Sequence, residues 1–294
     1  MKNILLIYNP KSGDGNFRFE LDNVISYFQN EAVFTLIRLD DFSLAERLSL
    51  MAMDRYDIIM IAGGDGTVSW VIESMLINEI DIPFYIIPVG TSNDFAEYMQ
   101  LSAEANKIYD IINNGRIIPV DAGKADGSYF INVCAGGFLT NVPHSTDDDM
   151  KNRLGNLAYY IRGIQELPKI NPLALRVDTG QDLFEEDLFL FLIINSGRAG
   201  GFNELSPLTE ISDGKFEFIA IKYGKLYEMF NALIEVFINK NLSGDNIIHL
   251  QSDYFYIENT GDNLKQHTDI DGERGPDYPV EISSVHNSLR LIVE

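Results

Sequence analysis

The segment DIIMIAGGDGTVSW, residues 57–70, constrains the fold most strongly, because an apolar run stops abruptly at a glycine-rich loop. A short apolar run such as DIIMI is typical of a buried strand. Gly63, Gly64 and Gly66 have no side chain to pack, so the backbone there can turn sharply and approach a ligand closely. No Gly-Lys-Ser or Gly-Lys-Thr follows, and the spacing is not G-x-G-x-x-G, so neither common phosphate-loop pattern applies.

The first 115 residues repeat this order of strand, loop and helix. The pattern predicts strands at NILLIYN, AVFTLIRL, DIIMI and PFYIIPV, and helices that include 44–53, 68–77, 95–100 and 103–113. Such alternation predicts a Rossmann-like parallel sheet with helices on both faces. We expect this α/β domain to span 1–119. Residues 284–294, with the last strand LRLIVE, could complete it or stay with the second domain.

After residue 119 the pattern changes, and strands dominate. Asp126-Gly127 lies between two apolar runs, which is a strong hairpin signal. The pattern therefore predicts a mainly antiparallel β-sandwich domain over residues 120–283. Further strands of this domain are predicted at 172–178, 187–194, 215–222, 247–258 and 279–282. Helices are predicted at 154–166 and 226–239.

Three loops of the first domain, Asn9–Gly13, Gly63–Thr67 and Gly90–Asp94, each follow a predicted strand. In an open parallel sheet the carboxyl ends of the strands form the ligand crevice. Backbone N–H groups in glycine-rich loops and at helix starts bind phosphate, so the three loops predict a phosphate site. Asp65 and Asp94 would repel phosphates unless they hold a divalent cation such as Mg²⁺.

Composition excludes some classes of function. The chain has 294 residues and a net charge of −22, and we find no Lys/Arg cluster of the kind that binds nucleic acid. The single cysteine, Cys134, favours a reducing compartment. The apolar runs of the sequence are shorter than a signal peptide or a membrane span requires. We therefore expect a cytoplasmic protein.

The same loops carry a family resemblance. NPKSG (9–13), GGDGT (63–67) and GTSNDFA (90–96) resemble, in order and spacing, the signature of the diacylglycerol kinase catalytic family. Three later segments are also similar to the family: VDAGKADGSYFINVCAGGF (120–138), GGFNELSPLTEISDGKFEF (200–218) and DIDGERG (269–275). The resemblance implies phosphorylation of a lipid hydroxyl by ATP, with nucleotide on the N-terminal domain and lipid on the C-terminal domain.

The resemblance also implies roles for individual residues. Glu273 matches the family's proton acceptor, and Asp271 of the same motif is a further catalytic candidate. Asp65 and Asp121 match carboxylates near the metal and phosphates. Oxygen atoms of Glu210, Asp213 and Lys215 match a structural Mg²⁺ site. The nucleotide-binding candidates are Asn9, Pro10, Lys11, Ser12, Gly13, Gly63, Gly64, Asp65, Gly66, Thr67, Thr91, Asn93 and Asp94.

Several alternatives stay open. Diacylglycerol is the best substrate candidate, but undecaprenol, phosphatidylglycerol, a sphingoid base or a monoacylglycerol also fit the resemblance. GGDGT is shared with NAD kinases, so a soluble-substrate kinase is the rival enzyme. Ser69-Trp70 departs from the family's usual Asn-Glu and gives limited support to a nucleotide-sensing or lipid-binding protein without catalysis. The predicted partner is a lipid at a membrane surface, contacted by transient docking, and a homodimer is a further candidate.

Overall fold

The computed structural model describes residues 1–39, 55–138, 171–197, 210–261 and 266–294. The chain divides into two compact units, Met1–Ala122 with Val285–Glu294, and Gly123–Ser284. The predicted boundaries were 119/120 and 283/284. The helices predicted at 44–53 and 154–166 lie outside the described residues. No helix within the described ranges is long and apolar enough to cross a bilayer.

The first unit contains a parallel sheet. Its strands, numbered in chain order, are β1 Lys2–Tyr8, β2 Ala32–Arg38, β3 Ile58–Gly63 and β4 Phe84–Pro88, in the order β4-β3-β1-β2. The last strand of the chain, β15 Val280–Val293, pairs in parallel with β4 through Leu291 and Phe84. The C-terminal strand therefore completes the α/β sheet. The central strands are buried, which explains why their sequences read as continuous apolar runs.

The described helices of the first unit are α1 Phe17–Tyr27, α2 Asp65–Ile77, α3 Asp94–Tyr98 and α4 Ala105–Asn114. The helix boundaries differ from the predicted ones by one to three residues, and the largest difference is at α2, which begins at Asp65 and not at residue 68. Gly64 is extended, and its carbonyl accepts a hydrogen bond of 3.0 Å from Val68 N–H. The first turn has no apolar periodicity, which only starts at the buried Val68. Three of the five residues of the predicted loop Gly63–Thr67 are therefore the start of a helix.

The second unit is built from antiparallel strand pairs, as predicted. Asp126-Gly127 forms the predicted two-residue turn, with Ala125 opposite Ser128. The strand β5 Arg116–Ala125 runs from the first unit into the second. The strands between β5 and β15 are β6 Ser128–Phe130, β7 Val133–Gly137, β8 Leu173–Asp178, β9 Leu183–Ile194, β10 Phe216–Lys222, β11 Ile247–Ser252, β12 Tyr254–Asn259, β13 His267–Ile270 and β14 Glu273–Asp277.

Three strand predictions need correction. The run 247–258 forms two strands, because the Ser252 hydroxyl bonds to the backbone of Tyr254 and turns the chain between β11 and β12. The hairpin β13–β14 was not predicted, since ERGPD in β14 is polar and contains a proline. The separate predicted strands 279–282 and LRLIVE belong to one continuous strand, β15.

Strand β9 separates two apolar clusters in the second unit. Phe191 and Ile193 belong to one cluster, in which the ring of Phe218 stacks on those of Phe191 and Phe255 at 5.8 and 5.6 Å. Leu190 and Leu192 belong to the other cluster, which includes the helix α5 Leu226–Phe237. Because both faces of β9 are covered, its sequence is apolar without interruption from 188 to 194.

Candidate active site

The three predicted loops meet at one edge of the parallel sheet. They follow β1, β3 and β4, which are adjacent strands and therefore end on the same side. The side-chain amide of Asn9 donates a hydrogen bond of 3.0 Å to the Thr67 hydroxyl. The Gly64 N–H donates one of 3.3 Å to the Ser12 hydroxyl. The first and second loops are thus joined by polar contacts.

The second and third loops contact each other through glycine backbones. A Cβ atom on Gly90 would lie 2.3 Å from the Cα of Gly64, which is closer than real Cβ contacts allow. Gly13 has a φ of +58°, and a Cβ there would lie 2.3 Å from the carbonyl oxygen of Val89. These glycines are therefore required by the close approach of the three loops.

Asn93 fixes the third loop. It has a left-handed backbone with φ 54°, and its side chain accepts from Gly90 N–H at 2.8 Å and donates to the Gly90 carbonyl at 2.9 Å. This reciprocal pair closes the turn and leaves Thr91 exposed at its tip. Thr91 and the exposed Lys11 of the first loop are thus accessible to a ligand, and their predicted role in nucleotide binding stays a prediction.

Asp65 and Asp94 lie together where these loops meet. Burial, and after it the negative charge of Asp94, together raise the pKa of Asp65 to about 6, against hydrogen bonds from the backbone of Asn93 and Asp94. Asp94 is only 5% exposed. Two carboxylates in a shared, partly desolvated site disfavour each other's charge, and a divalent cation would offset that repulsion.

Gly66 shows where phosphate would fit. It is exposed in the first turn of α2, and a Cβ built on it meets nothing within 4 Å. Packing within the described residues thus does not require a glycine there. The N-cap Gly64 has no side chain that could cap α2, and the positive end of a helix attracts anions. The open space, the helix start and the paired carboxylates fit nucleotide phosphates with Mg²⁺.

Asp121 is fully buried in the first unit, in β5. Its carboxylate accepts a hydrogen bond of 2.6 Å from Asn287 N–H and lies 2.9 Å from Nδ1 of His286. Nothing in the sequence indicated that His286 would contact Asp121, because the two residues are 165 positions apart. The proposed place of Asp121 near the phosphates remains a prediction.

Asp271 is bound by backbone amides of the second unit. Its two carboxylate oxygens accept hydrogen bonds from the N–H groups of Ile131, Asn132 and Val133 at 2.9, 3.0 and 2.8 Å. The Asp271 N–H in turn donates to the Val133 carbonyl at 2.9 Å. Because both oxygens are engaged by the backbone, we interpret Asp271 as a positioning residue and not as the reacting carboxylate that the motif predicted.

Glu273 is held by the hairpin that Asp271 anchors. It is the exposed first residue of β14 and lies opposite Ile270 across the Asp271-Gly272 turn. Both turn residues have positive φ, 49° and 89°, as a tight hairpin requires. Glu273 belongs to the second unit and the three loops to the first, so its role as proton acceptor remains a prediction.

A buried polar network supports the same hairpin, and the sequence analysis did not single it out. The Asn195 side chain donates to the Ile131 carbonyl at 2.9 Å, and the Ser196 hydroxyl donates to the side chain of Asn132. Asn195 and Ser196 directly follow the apolar strand β9 and are fully buried. The sequence contained one signal for this network, namely two polar residues directly after an apolar strand.

The predicted structural metal residues, Glu210, Asp213 and Lys215, lie in or beside the turn before β10. Asp213 accepts a hydrogen bond of 2.9 Å from Lys215 N–H. Within the described ranges, no group of three or more His, Cys, Asp or Glu side chains is arranged to hold a metal ion. Residues 200–209 of this motif lie outside those ranges, so the Mg²⁺ site remains a prediction.

Comparison with known proteins places this geometry in a family. Residues 3–125 match the model of the diacylglycerol kinase catalytic domain, and residues 133–293 match that of the YegS C-terminal NAD kinase beta sandwich-like domain. The chain belongs to the diacylglycerol kinase catalytic-domain family. Membership of this family makes the protein a lipid kinase, and a kinase of this family uses ATP as its phosphate donor.

Individual relatives span nearly the whole chain. It is 29% identical over 296 residues to the diacylglycerol kinase of Bacillus subtilis (strain 168), covering 100% of this chain and 97% of the relative. It is 30% identical over 292 residues to that of Staphylococcus haemolyticus (strain JCSC1435), covering 97% and 86%. A solved structure of a diacylglycerol kinase from Bacillus anthracis str. Sterne aligns with TM-score 0.77 at 20% identity, covering 100% and 97%. The fold prediction is confirmed.

Two glycine substitutions should separate packing from ligand binding. Gly90→Ala should destabilise the protein by about 1–3 kcal/mol, because the new Cβ collides with Gly64. Gly66→Ala should stabilise α2 by up to about 1 kcal/mol, because alanine favours a helix. Both should weaken ATP binding, measured by calorimetry beside thermal melting. ATP binding by Gly66→Ala at the wild-type affinity would contradict phosphate approach at that glycine.

The positioning role of Asp271 predicts a loss of stability. Asp271→Ala leaves three backbone N–H groups without their acceptor and should cost about 2–5 kcal/mol, measured by denaturant unfolding. Glu273→Gln is the matched control in the same hairpin and should leave stability unchanged, because Glu273 is exposed. An Asp271→Ala protein with wild-type stability and no kinase activity would indicate that Asp271 reacts directly.

Proposed function

We propose that this lipid kinase transfers the γ-phosphate of ATP to the free hydroxyl of diacylglycerol, which yields phosphatidic acid and ADP. The observation that carries the proposal is the convergence of three glycine-rich loops around Asp65 and Asp94. Phosphoryl transfer depends mainly on positioning and on neutralising charge, and this site supplies groups for both.

The first unit would bind the nucleotide. Amide groups at the start of α2 and in the loops would orient the phosphate oxygens, and Gly66 leaves room for them. Asp65 and Asp94 would hold Mg²⁺, which supplies positive charge beside the phosphates when bound. Asn93 fixes the third loop, so that Asp94 is in place before the ligand arrives.

The second unit would supply the proton acceptor for the lipid hydroxyl. Glu273 would accept the proton of the lipid hydroxyl as the hydroxyl oxygen forms its bond to the γ-phosphorus. The bond between that phosphorus and the bridging oxygen breaks, and its electron pair leaves with ADP. Asp271 and the 131–133 backbone keep the hairpin that carries Glu273 rigid.

Diacylglycerol is proposed because relatives that span nearly the whole chain are described as diacylglycerol kinases. We also propose that the protein is cytoplasmic and docks transiently on the membrane that holds its substrate. A homodimer remains a prediction.

A second candidate is phosphorylation of NAD. The family model that matches residues 133–293 is described as NAD kinase beta sandwich-like, and the GGDGT loop occurs in both enzyme classes. The two candidates share the nucleotide site and differ in the acceptor.

A panel of acceptors distinguishes the candidates. The protein is incubated with labelled ATP and Mg²⁺ and with diacylglycerol, monoacylglycerol, undecaprenol, phosphatidylglycerol, a sphingoid base or NAD. We expect label in the organic phase with diacylglycerol, and at least about a hundredfold less with Glu273→Gln. Label on NAD alone would support the second candidate, and transfer to no acceptor would contradict both.

Asp65→Asn tests the proposed cation site. The substitution removes one of two mutually repelling carboxylates and keeps an oxygen acceptor for the backbone of Asn93 and Asp94. The melting temperature without ligand should therefore stay equal or rise, while lipid phosphorylation falls by at least about a hundredfold. Full activity of Asp65→Asn at limiting Mg²⁺ would show that this carboxylate does not hold the cation.

A further inference from the structure

Helix α5 is apolar on two opposite sides. Its inner side packs into the core of the second unit through Met229, Ala232, Leu233 and Val236. On the opposite side of the helix, a second set of apolar residues recurs at spacings of three and four residues. It consists of Tyr227, Phe230, Ile234 and Ile238. A globular protein normally places polar residues on the outer side of such a helix.

Two residues of this outer side are exposed, and so is Leu226 at the start of the helix. Leu226, Tyr227 and Ile238 are 54%, 59% and 56% accessible, and Phe230 and Ile234 are half-buried. Among the described residues of the second unit, four of the six exposed large apolar side chains lie between 223 and 238. This clustering is typical of an interaction surface.

The charge around α5 differs from that of the whole chain. The sequence has 44 acidic and 22 basic residues, but the stretch 222–240 has three lysines and two glutamates. Lys225 is 74% exposed, and its Nζ lies 5.9 Å from the centre of the Tyr227 ring. Lys240 follows Ile238 by two residues. A lysine therefore flanks the apolar side at each end of the helix.

This combination fits the surface of a lipid bilayer. Tyrosine favours the headgroup level, where its ring meets lipid and its hydroxyl meets water. Leucine and isoleucine enter the acyl boundary, and lysine extends its stem along lipid and places its charge at anionic headgroups. A second copy of this acidic chain fits less well, because lysines would face lysines at a twofold contact.

We propose that the outer side of α5, defined as Tyr227, Phe230, Ile234 and Ile238, contacts a bilayer that contains anionic lipid. The proposal rests on the lipid kinase function and identifies the membrane contact of that function. Insertion of these side chains would explain how a chain of charge −22 stays at an anionic surface.

The position of α5 within the second unit links docking to the acceptor site. The inner side of α5 packs in one cluster with Val133 and Ala135 of β7. The same strand pairs with β13, which leads into the hairpin that carries Glu273. Helix α5 therefore shares an apolar cluster with the strand that pairs with this hairpin, so that docking through α5 would bring the proposed base to the lipid.

A pair of tryptophan substitutions tests the contact. Ile238 and Ile77 are both 56% exposed at the C-terminal end of a helix, and Ile77 lies in the other unit. With vesicles of phosphatidylcholine and phosphatidylglycerol, the emission of Ile238→Trp should shift to the blue, and that of Ile77→Trp should not. Trp70 is a constant background in both. Equal shifts, or none, would overturn the proposal.

A binding measurement provides the second test. Tyr227→Ser combined with Ile238→Ser should lower co-sedimentation with these vesicles by about tenfold, while Ile77→Ser leaves it unchanged. Unchanged sedimentation of the double variant would overturn the proposal. So would a dimer, seen without vesicles, that the double variant converts to a monomer, because α5 would then be a self-interface.

An activity measurement separates this proposal from the proposed function. With short-chain diacylglycerol dispersed in detergent, the double variant should phosphorylate lipid at the wild-type rate. Wild-type protein that phosphorylates no lipid would contradict the proposed function. Vesicle binding would still decide the role of α5, since it is measured without catalysis.

Discussion

The backbone contact between Gly64 and Gly90 is the constraint on which the nucleotide site depends. It brings the loop after β3 against the loop after β4, and no side chain could be accommodated between them. The contact places Asp65 at the backbone of Asn93 and Asp94, and so creates a pair of carboxylates that favours a cation. The parallel sheet supplies the common edge, and the glycines supply the close approach.

The second unit uses a carboxylate differently. Asp271 accepts hydrogen bonds from three consecutive backbone N–H groups, so peptide dipoles balance its charge. The rigid turn that results presents the exposed Glu273. Two aspartates that each precede a glycine thus have different surroundings: we propose that Asp65 binds a cation, whereas Asp271 holds a hairpin.

The sequence predicted the parts of the fold that follow from periodicity and glycine position. The three loops lie together because adjacent parallel strands end at one edge, which is a general rule. The start of α2 at Asp65 and the β13–β14 hairpin were missed, because polar segments such as ERGPD carry no apolar pattern. The contacts of Asp121 with His286 and Asn287 depend on the return of the C-terminal strand, which no local pattern reveals.

Calorimetry can test whether Asp65 and Asp94 bind a divalent cation together with nucleotide. ATP is titrated into the protein with Mg²⁺ and again with a chelator, at constant ionic strength. We expect that removal of Mg²⁺ weakens ATP binding by at least about tenfold, because the carboxylates then repel the phosphates. Equal affinity under both conditions would contradict the claim.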